Sequence, residues 1–239
     1  MTNATVRRQD AELKSPGRSL ESSSVPYVLP FGLFVGLLAF QSALHLSGIV
    51  DLILRTVLLV AALLIFSRGV ITLKMTVPLQ TVLLGVAVFV IWIAPDILFP
   101  NYRQSIFFQN AVLGRISSSF PDTLQRNPLG LGLRCFRAVV LVPIIEELFW
   151  RAWFMRWLID HRFETVRLGA YAAGSFWITA ILFASEHGPF WDVGLIAGIL
   201  YNFWMIRTRS LGDCIIAHAI TNACLCAYVI AGSHWQYWL

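Results

Sequence analysis

Residues 139–151 read VVLVPIIEELFWR, an apolar run in which Glu146 and Glu147 stand side by side and Arg151 follows. Apolar residues continue on both sides, so the stretch predicts a helix long enough to cross a bilayer. An ionisable side chain near the centre of such a helix costs about 2.5–3.5 kcal/mol on insertion scales. Charged groups kept at that cost are expected to have a function. The stretch therefore predicts a membrane protein with a site inside the bilayer.

Composition agrees with a membrane location. Of the 239 residues, 57% are hydrophobic and 13% are charged, whereas a soluble domain carries about 25% charged residues. The length suits one helix bundle. The net charge of +5 comes from basic residues at the ends of apolar segments, so no nucleic-acid partner is predicted. The four cysteines lack the spacing of a zinc site or a disulfide framework and are predicted to be small buried hydrophobic residues.

Seven apolar segments are predicted to be transmembrane helices, which makes the fold an all-α polytopic bundle. They cover residues 26–46, 50–66, 77–99, 136–159, 169–187, 190–206 and 211–231. Lys and Arg occur before the first segment and in the second, fourth and sixth connections, whereas the first and fifth connections and the C-terminal end carry none; the third connection departs from this pattern with Arg103, Arg115 and Arg126. This alternation predicts a cytoplasmic N-terminus and an external C-terminus.

The chain divides into three predicted parts. Residues 1–24 are polar and form a disordered cytoplasmic tail rather than a cleavable signal peptide. Residues 25–133 hold the first three helices and a loop, and residues 134–239 form a transmembrane core that contains the two adjacent glutamates. Residues 106–113 of the loop are largely apolar but too few for a span. Residues 101–120 are therefore predicted to include an amphipathic surface helix, with an eighth span as the alternative.

The two glutamates are predicted to differ. Glu147 and Arg151 are four residues apart, so a helix places them on one face, where they can pair. Glu146 is turned about 100° away and has no partner within the helix. A carboxylate in an apolar cavity is a stronger base than one in water, which suits activation of a water molecule. Pro143 is expected to kink the helix and make room for that water. A structural Glu–Arg network and a proton or ion relay stay open as alternatives.

Two further pairs of residues recur at helical spacing. His187 ends an apolar segment one turn after Phe183, and Glu186 beside it is predicted to be a boundary charge. His218 and Asn222 are four residues apart in the last segment, so both are predicted to point into the bundle. They could form a hydrogen bond between helices, or donate hydrogen bonds to a developing oxyanion.

The chain thus holds three motifs in order, each on a predicted helix: Glu146-Glu147-x-x-x-Arg151, Phe183-x-x-x-His187 and His218-x-x-x-Asn222. Together they resemble the motifs of the CPBP intramembrane proteases, the family of the CAAX prenyl endopeptidases and the Abi proteins. The resemblance covers about residues 134–231. It implies a glutamate-dependent intramembrane endopeptidase in an integral multi-pass protein of a bacterial inner membrane.

The resemblance also implies a role for each motif residue. Glu146 is the base and acts with His187 to hold and activate the water. Glu147 and Arg151 support these groups. The residues implied to stabilise the oxyanion are His218 and Asn222.

Metal dependence is an alternative within the same family resemblance. Glu146, His187 and His218 are residue types that bind zinc, and they would be its ligands in a metalloprotease. The sequence contains no H-E-x-x-H motif. The expected mechanism is therefore the metal-free one, with no cofactor.

Residues 146–159 and the aromatic end at 234–238 are similar to the CAAX-protease-related subgroup that accompanies exosortase and PEP-CTERM sorting systems. This similarity implies a membrane-anchored protein or peptide substrate in the lipid bilayer and an exosortase-type sorting system as partner. Two other functions stay open, an ion- or proton-coupled transporter and a non-catalytic immunity or scaffold protein. The absence of an internal repeat argues against the first, and the completeness of the three motifs argues against the second.

Overall fold

The computed structural model describes residues 24–39 and 48–238. The predicted tail, except Ser24, and the end of the first predicted span lie outside the described residues. Within them the secondary structure is helical, with no strand and one isolated bridge between Asn110 and Gly114. The predicted all-α class is confirmed.

Seven main helices make up the described part of the chain. They are α1 (Val25–Ala39), α2 (Gly48–Ala62, extended by a π-helical turn Leu63–Ser67), α3 (Pro78–Leu98), α4 (Pro128–Trp157), α5 (Ala173–Ser185), α6 (Trp191–Thr208) and α7 (Leu211–Gly232). Short 3₁₀ turns lie at Tyr102–Gln104, Asp122–Leu124, Phe163–Thr165, Gly188–Phe190 and Trp235–Tyr237.

Five of these helices are long and apolar enough to cross a membrane, namely α2, α3, α4, α7, and α6 together with the turn before it. The other two, α1 and α5, are apolar but have 15 and 13 described residues. A polytopic membrane bundle is therefore confirmed, whereas the count of seven spans stays a prediction.

Helix α4 is interrupted twice by π-helical turns. The segments Arg137–Leu141 and Leu148–Phe154 are π-helical, and the α-helical segment Val142–Glu147 lies between them. Pro143 has no N–H to donate to the carbonyl four residues earlier, and its ring would clash with that carbonyl in a regular helix. The wider turn before it relieves this conflict. Both glutamates thus lie in a short regular segment between two distortions, a type of irregularity that is frequent at functional sites.

The helix ends meet in two groups, at opposite ends of the bundle. At one end, Asp213 at the start of α7 accepts hydrogen bonds from the backbone and hydroxyl of Thr76, at 2.7 and 2.8 Å. At this same end the Ser67 hydroxyl donates to the Pro26 carbonyl at 2.6 Å. Successive helices therefore run in alternating directions, as the charge pattern predicts. Which end faces the cytoplasm stays a prediction.

The connection between α3 and α4 closes the opposite end. The Ser119 backbone N–H donates to the Trp238 carbonyl at 2.8 Å. Arg103 is 4% exposed and forms ion pairs with Asp96, at 3.0 Å, and with Asp192 at the start of α6, at 2.6 Å. Its guanidinium also donates to the Pro189 carbonyl at 2.8 Å. Arg103 thereby fixes this connection to the turn that follows His187.

The same connection contradicts the prediction for residues 101–120, because residues 106–113 form turns rather than a surface helix or an eighth span. The side chain of Asn110 accepts hydrogen bonds from the backbone N–H groups of Val112 and Leu113, each at 2.9 Å. The side chain of Gln109 accepts one from Ile116 at 3.2 Å. Such local bonds compete with the helical pattern, and the apolar composition alone did not reveal them.

Replacement of Arg103 by glutamine should lower the stability of the bundle by about 2–5 kcal/mol. The substitution removes the buried cation that Asp96 and Asp192 share, so both ion pairs are lost. The measurement is the thermal unfolding of the purified protein in detergent micelles. The matched control is Arg126→Gln, because Arg126 is an exposed arginine of the same connection. Equal melting temperatures for the two variants would contradict a clamping role for Arg103.

Candidate active site

One oxygen atom of Glu147 joins two helices. Glu147 and Arg151 are fully buried, and Arg151 Nη1 donates to Glu147 Oε1 at 3.0 Å. Nδ1 of His218, on α7, donates to the same oxygen at 2.9 Å. The i, i+4 ion pair is thus present, and it also holds His218 against α4.

Arg151 extends this network to α5 and α6. Its Nε donates to the side-chain oxygen of Asn202 at 3.1 Å, and the amide of Asn202 donates to the Phe176 carbonyl at 2.9 Å. The guanidinium lies 4.3 Å from the ring centroid of Phe183. Asn202 was missed by the sequence reasoning, although a lone amide within an apolar helix was a signal that could have found it.

Glu146 is left without a partner. Its side chain is buried, and it accepts no hydrogen bond from any described residue. The nearest cationic or ionisable nitrogen is His218 Nε2, at 4.0 Å from Glu146 Oε2. A buried polar group without a partner is costly, and such groups in a native structure often await a water molecule or a substrate.

His187 follows α5, in the turn before α6. Its Nδ1 lies 2.7 Å from the Phe183 carbonyl oxygen, which can only accept, so Nδ1 carries a proton and Nε2 remains available. The ring packs against Gly194, where an added Cβ would lie 3.2 Å from the imidazole. Trp92 lies on another side, at 5.2 Å between ring centroids. The ring is thus held in one orientation by a hydrogen bond and by close packing.

Asn222 lies one turn after His218 on α7. One hydrogen of its amide donates to the Ala138 carbonyl in the first π-helical turn of α4, at 2.7 Å. The second amide hydrogen has no acceptor among the described residues. His218 stacks on the Tyr201 ring at 5.1 Å between centroids.

These side chains share one cavity of about 760 Å³. Glu146, His187, His218 and Asn222 all line it. Glu147 and Arg151 do not line the cavity. They lie behind the side chains that form its wall, and Glu147 binds one of these, His218. The volume falls in the range of pockets that bind a ligand of moderate size, about 300–1,000 Å³.

Glu186 also lines the cavity, contrary to its interpretation as a boundary charge. Its carboxylate accepts a hydrogen bond from the Trp150 indole at 2.9 Å. The sequence placed it at a helix end and gave no sign that the following turn bends back over the bundle. A third carboxyl group therefore borders the site.

The zinc alternative does not fit this geometry. Among residues 24–39 and 48–238, no group of three or more His, Cys, Asp or Glu side chains is arranged to hold a metal ion. Glu146, His187 and His218 line one cavity without forming such a ligand set.

Comparison with known protein families gives one match, and it lies over the part of the chain that forms this arrangement. Residues 128–224 match the family model described as Type II CAAX prenyl endopeptidase Rce1-like. The similarity runs from α4 to residue 224 in α7, and this segment contains all six predicted site residues. No curated protein and no solved structure matches the chain significantly.

Replacement of Arg151 by methionine should destabilise the protein by about 3–5 kcal/mol, because Glu147 would be left as an unpaired buried charge. The double variant Arg151→Met/Glu147→Leu should recover much of that loss, since both charges are gone. Thermal unfolding in micelles measures both.

The matched control for this pair is Arg162→Gln. Arg162 lies 3.9 Å from Asp160, and both side chains are exposed, so its removal should change little. A double variant no more stable than Arg151→Met would contradict the role given to the buried pair.

Proposed function

We propose that the protein is an intramembrane endopeptidase in which Glu146 activates a water molecule to hydrolyse a peptide bond. The observation that carries this proposal is the buried Glu146 carboxylate, which accepts no hydrogen bond from the described residues and borders a cavity that His187 and His218 also line. A general base needs a free lone pair within reach of the proton that it takes. The Rce1-like match over the same residues supports an endopeptidase activity.

The two adjacent glutamates have different roles. Glu147 is neutralised by Arg151 and fixed by His218, so it positions other side chains. Glu146 has neither constraint and takes the proton from water. His187 Nε2 accepts the second hydrogen bond of that water, because Nδ1 is already committed to the Phe183 carbonyl. The water is thereby oriented with a lone pair toward the scissile carbonyl.

The oxyanion that forms on attack is stabilised by His218 and Asn222. The free amide hydrogen of Asn222 donates to it, and His218 donates through Nε2 when the imidazole carries both protons. Preorganised donors of this kind contribute about 3–4 kcal/mol each to transition-state stabilisation.

Glu146 first accepts a proton and later returns one. The carboxylate takes one proton as water adds to the carbonyl carbon, and the resulting carboxylic acid gives a proton to the leaving amine as the C–N bond breaks. The products are a new carboxyl terminus and a new amino terminus. No covalent enzyme intermediate and no cofactor are needed.

The substrate is proposed to be a membrane-anchored protein or peptide that enters the cavity from the lipid. The similarity of residues 146–159 and 234–238 to exosortase-associated proteases supports a substrate close to a sorting signal, with an exosortase-type system as partner. The same similarity supports a bacterial inner membrane. We place the N-terminus in the cytoplasm, because the end of the bundle that carries residues 67–77, 158–172 and 209–210 is rich in Lys and Arg.

Replacement of Glu146 by glutamine should abolish cleavage, because the amide keeps the shape of the carboxylate but cannot take a proton. The variant should insert and accumulate like the wild type, since Glu146 holds no partner in place. The measurement is comparative proteomics of membrane fractions with and without the substitution, which reveals a protein whose terminus changes.

Chelator-treated wild-type protein is the control, and it should keep its activity. Undiminished cleavage by Glu146→Gln would rule out Glu146 as the base. Loss of wild-type activity on chelation with rescue by zinc would overturn the metal-free mechanism.

A further inference from the structure

A group of basic side chains occupies the same cavity at a distance from Glu146. Arg115, Arg134 and Arg137 all line it. Arg137 is 7% exposed, and its guanidinium has no hydrogen bond or ion pair with any described residue. Its Nε is enclosed by protein and unpartnered. Arginine stays charged in proteins, and a buried charge without a partner costs several kcal/mol.

The surrounding charges do not neutralise this group. The acidic side chain that interacts electrostatically with Arg137 is Asp51, and Asp51 is already paired with Arg55 at 2.6 Å. Arg137 therefore has two arginines near it, Arg55 and Arg134, and one carboxylate that is already paired, so its own positive charge is not neutralised there. A charge left without a partner inside a membrane bundle indicates a functional site, and a guanidinium is suited to bind an anion.

The three arginines differ in depth. Arg115 is exposed on the connection that closes this end of the bundle, and Arg134 is half-buried. The guanidinium of Arg134 lies 5.4 Å from the ring centroid of Trp238, which fixes its position. Arg137 is the deepest of the three. An anion entering from the exposed end would thus meet Arg115 first and Arg137 last.

We propose that Arg134 and Arg137, with Arg115 at the entrance, form a subsite that binds a carboxylate of the peptide substrate. The proposal rests on the proposed endopeptidase function, because it assigns the cavity to a peptide. A guanidinium matches a carboxylate with two parallel hydrogen bonds, which provides both energy and direction. The carboxylate is either the C-terminus of the substrate or an Asp or Glu side chain.

The subsite would set the position of the cut. Arg137 precedes Glu146 by nine residues on α4, which corresponds to about 13 Å at about 1.5 Å per residue. An extended peptide covers about 3.3 Å per residue. A carboxylate on Arg137 therefore places a bond about four residues away next to Glu146.

The test is a binding measurement on the full-length Glu146→Gln variant, which holds a peptide without cutting it. The probes are three N-dodecanoyl peptides of nine residues, built from Ala and Leu and carrying an uncharged fluorophore. One has a free C-terminal carboxylate, one has a C-terminal amide, and one has the amide with Glu as its last residue. Fluorescence anisotropy in neutral-detergent micelles gives the dissociation constant of each.

We expect at least one carboxylate peptide to bind about tenfold or more tightly than the uncharged amide, which is the gain of a charge-assisted hydrogen bond. The preference should fall to less than about threefold when Arg137→Gln is added. It should be retained when Arg126→Gln is added, because Arg126 is an exposed arginine outside the cavity. Comparison of the two acidic peptides identifies the source of the carboxylate.

Equal binding of all three peptides would overturn the proposal, as would a preference that survives Arg137→Gln. Removal of an unpartnered charge should leave the melting temperature of the peptide-free protein unchanged or higher. A lower melting temperature with an unchanged preference would mean that Arg137 has a structural role. If Arg137→Gln does not accumulate, Arg134→Gln and Arg137→Lys decide the matter, with loss expected in the first and partial retention in the second.

The same peptides separate this proposal from the proposed function. Incubated with the wild-type protein, the bound acidic peptide should be cut about four residues from its carboxylate, as mass spectrometry would show. A preference for acidic peptides without any cut would count against the hydrolytic function alone. Cutting without a preference would count against the subsite alone.

Discussion

A single oxygen atom of Glu147, which accepts hydrogen bonds from both Arg151 and His218, holds the site together. Through Arg151 the same network reaches Asn202 on α6, whose amide in turn bonds to α5. Four helices are therefore tied to one buried ion pair. Desolvation of this pair is costly, so its partners must all be present at once for the bundle to gain from it. The network thus links a charged pair that does not touch the cavity to His218, which does.

This network explains why two adjacent glutamates can have different surroundings. Neighbouring residues on a helix point about 100° apart, so when Glu147 faces Arg151 and His218, Glu146 must face elsewhere. The regular segment Val142–Glu147 is short and lies between two π-helical turns, which rotate the flanking residues relative to it. Ala138, in the first of these turns, receives the amide of Asn222. The distortion of α4 and the placement of α7 are thus parts of one arrangement.

The sequence predicted the helical class, the pairing of Glu147 with Arg151 and the isolation of Glu146, because these follow from helical periodicity and the cost of charge in lipid. The π-helical turns could not be predicted, since Pro143 marks a break without specifying its geometry. The loop at 106–113 was predicted wrongly because side-chain bonds from Asn110 outweighed its apolar composition. Glu186 was predicted to be a boundary charge, and Arg137 was not singled out in the sequence. Only the three-dimensional arrangement reveals that both border the cavity.

The central claim is that Glu146 delivers water directly to the scissile carbonyl, and oxygen isotope transfer tests it most directly. The wild-type protein is incubated with a peptide that it cuts in water enriched in ¹⁸O. The protein is in molar excess, so that each molecule turns over once, and the mass of the product is measured by mass spectrometry. The account predicts that the new carboxyl terminus contains one ¹⁸O atom from the solvent. A first-turnover product that contains only ¹⁶O would mean that the oxygen came from the carboxylate itself, which would make Glu146 a nucleophile and contradict the account.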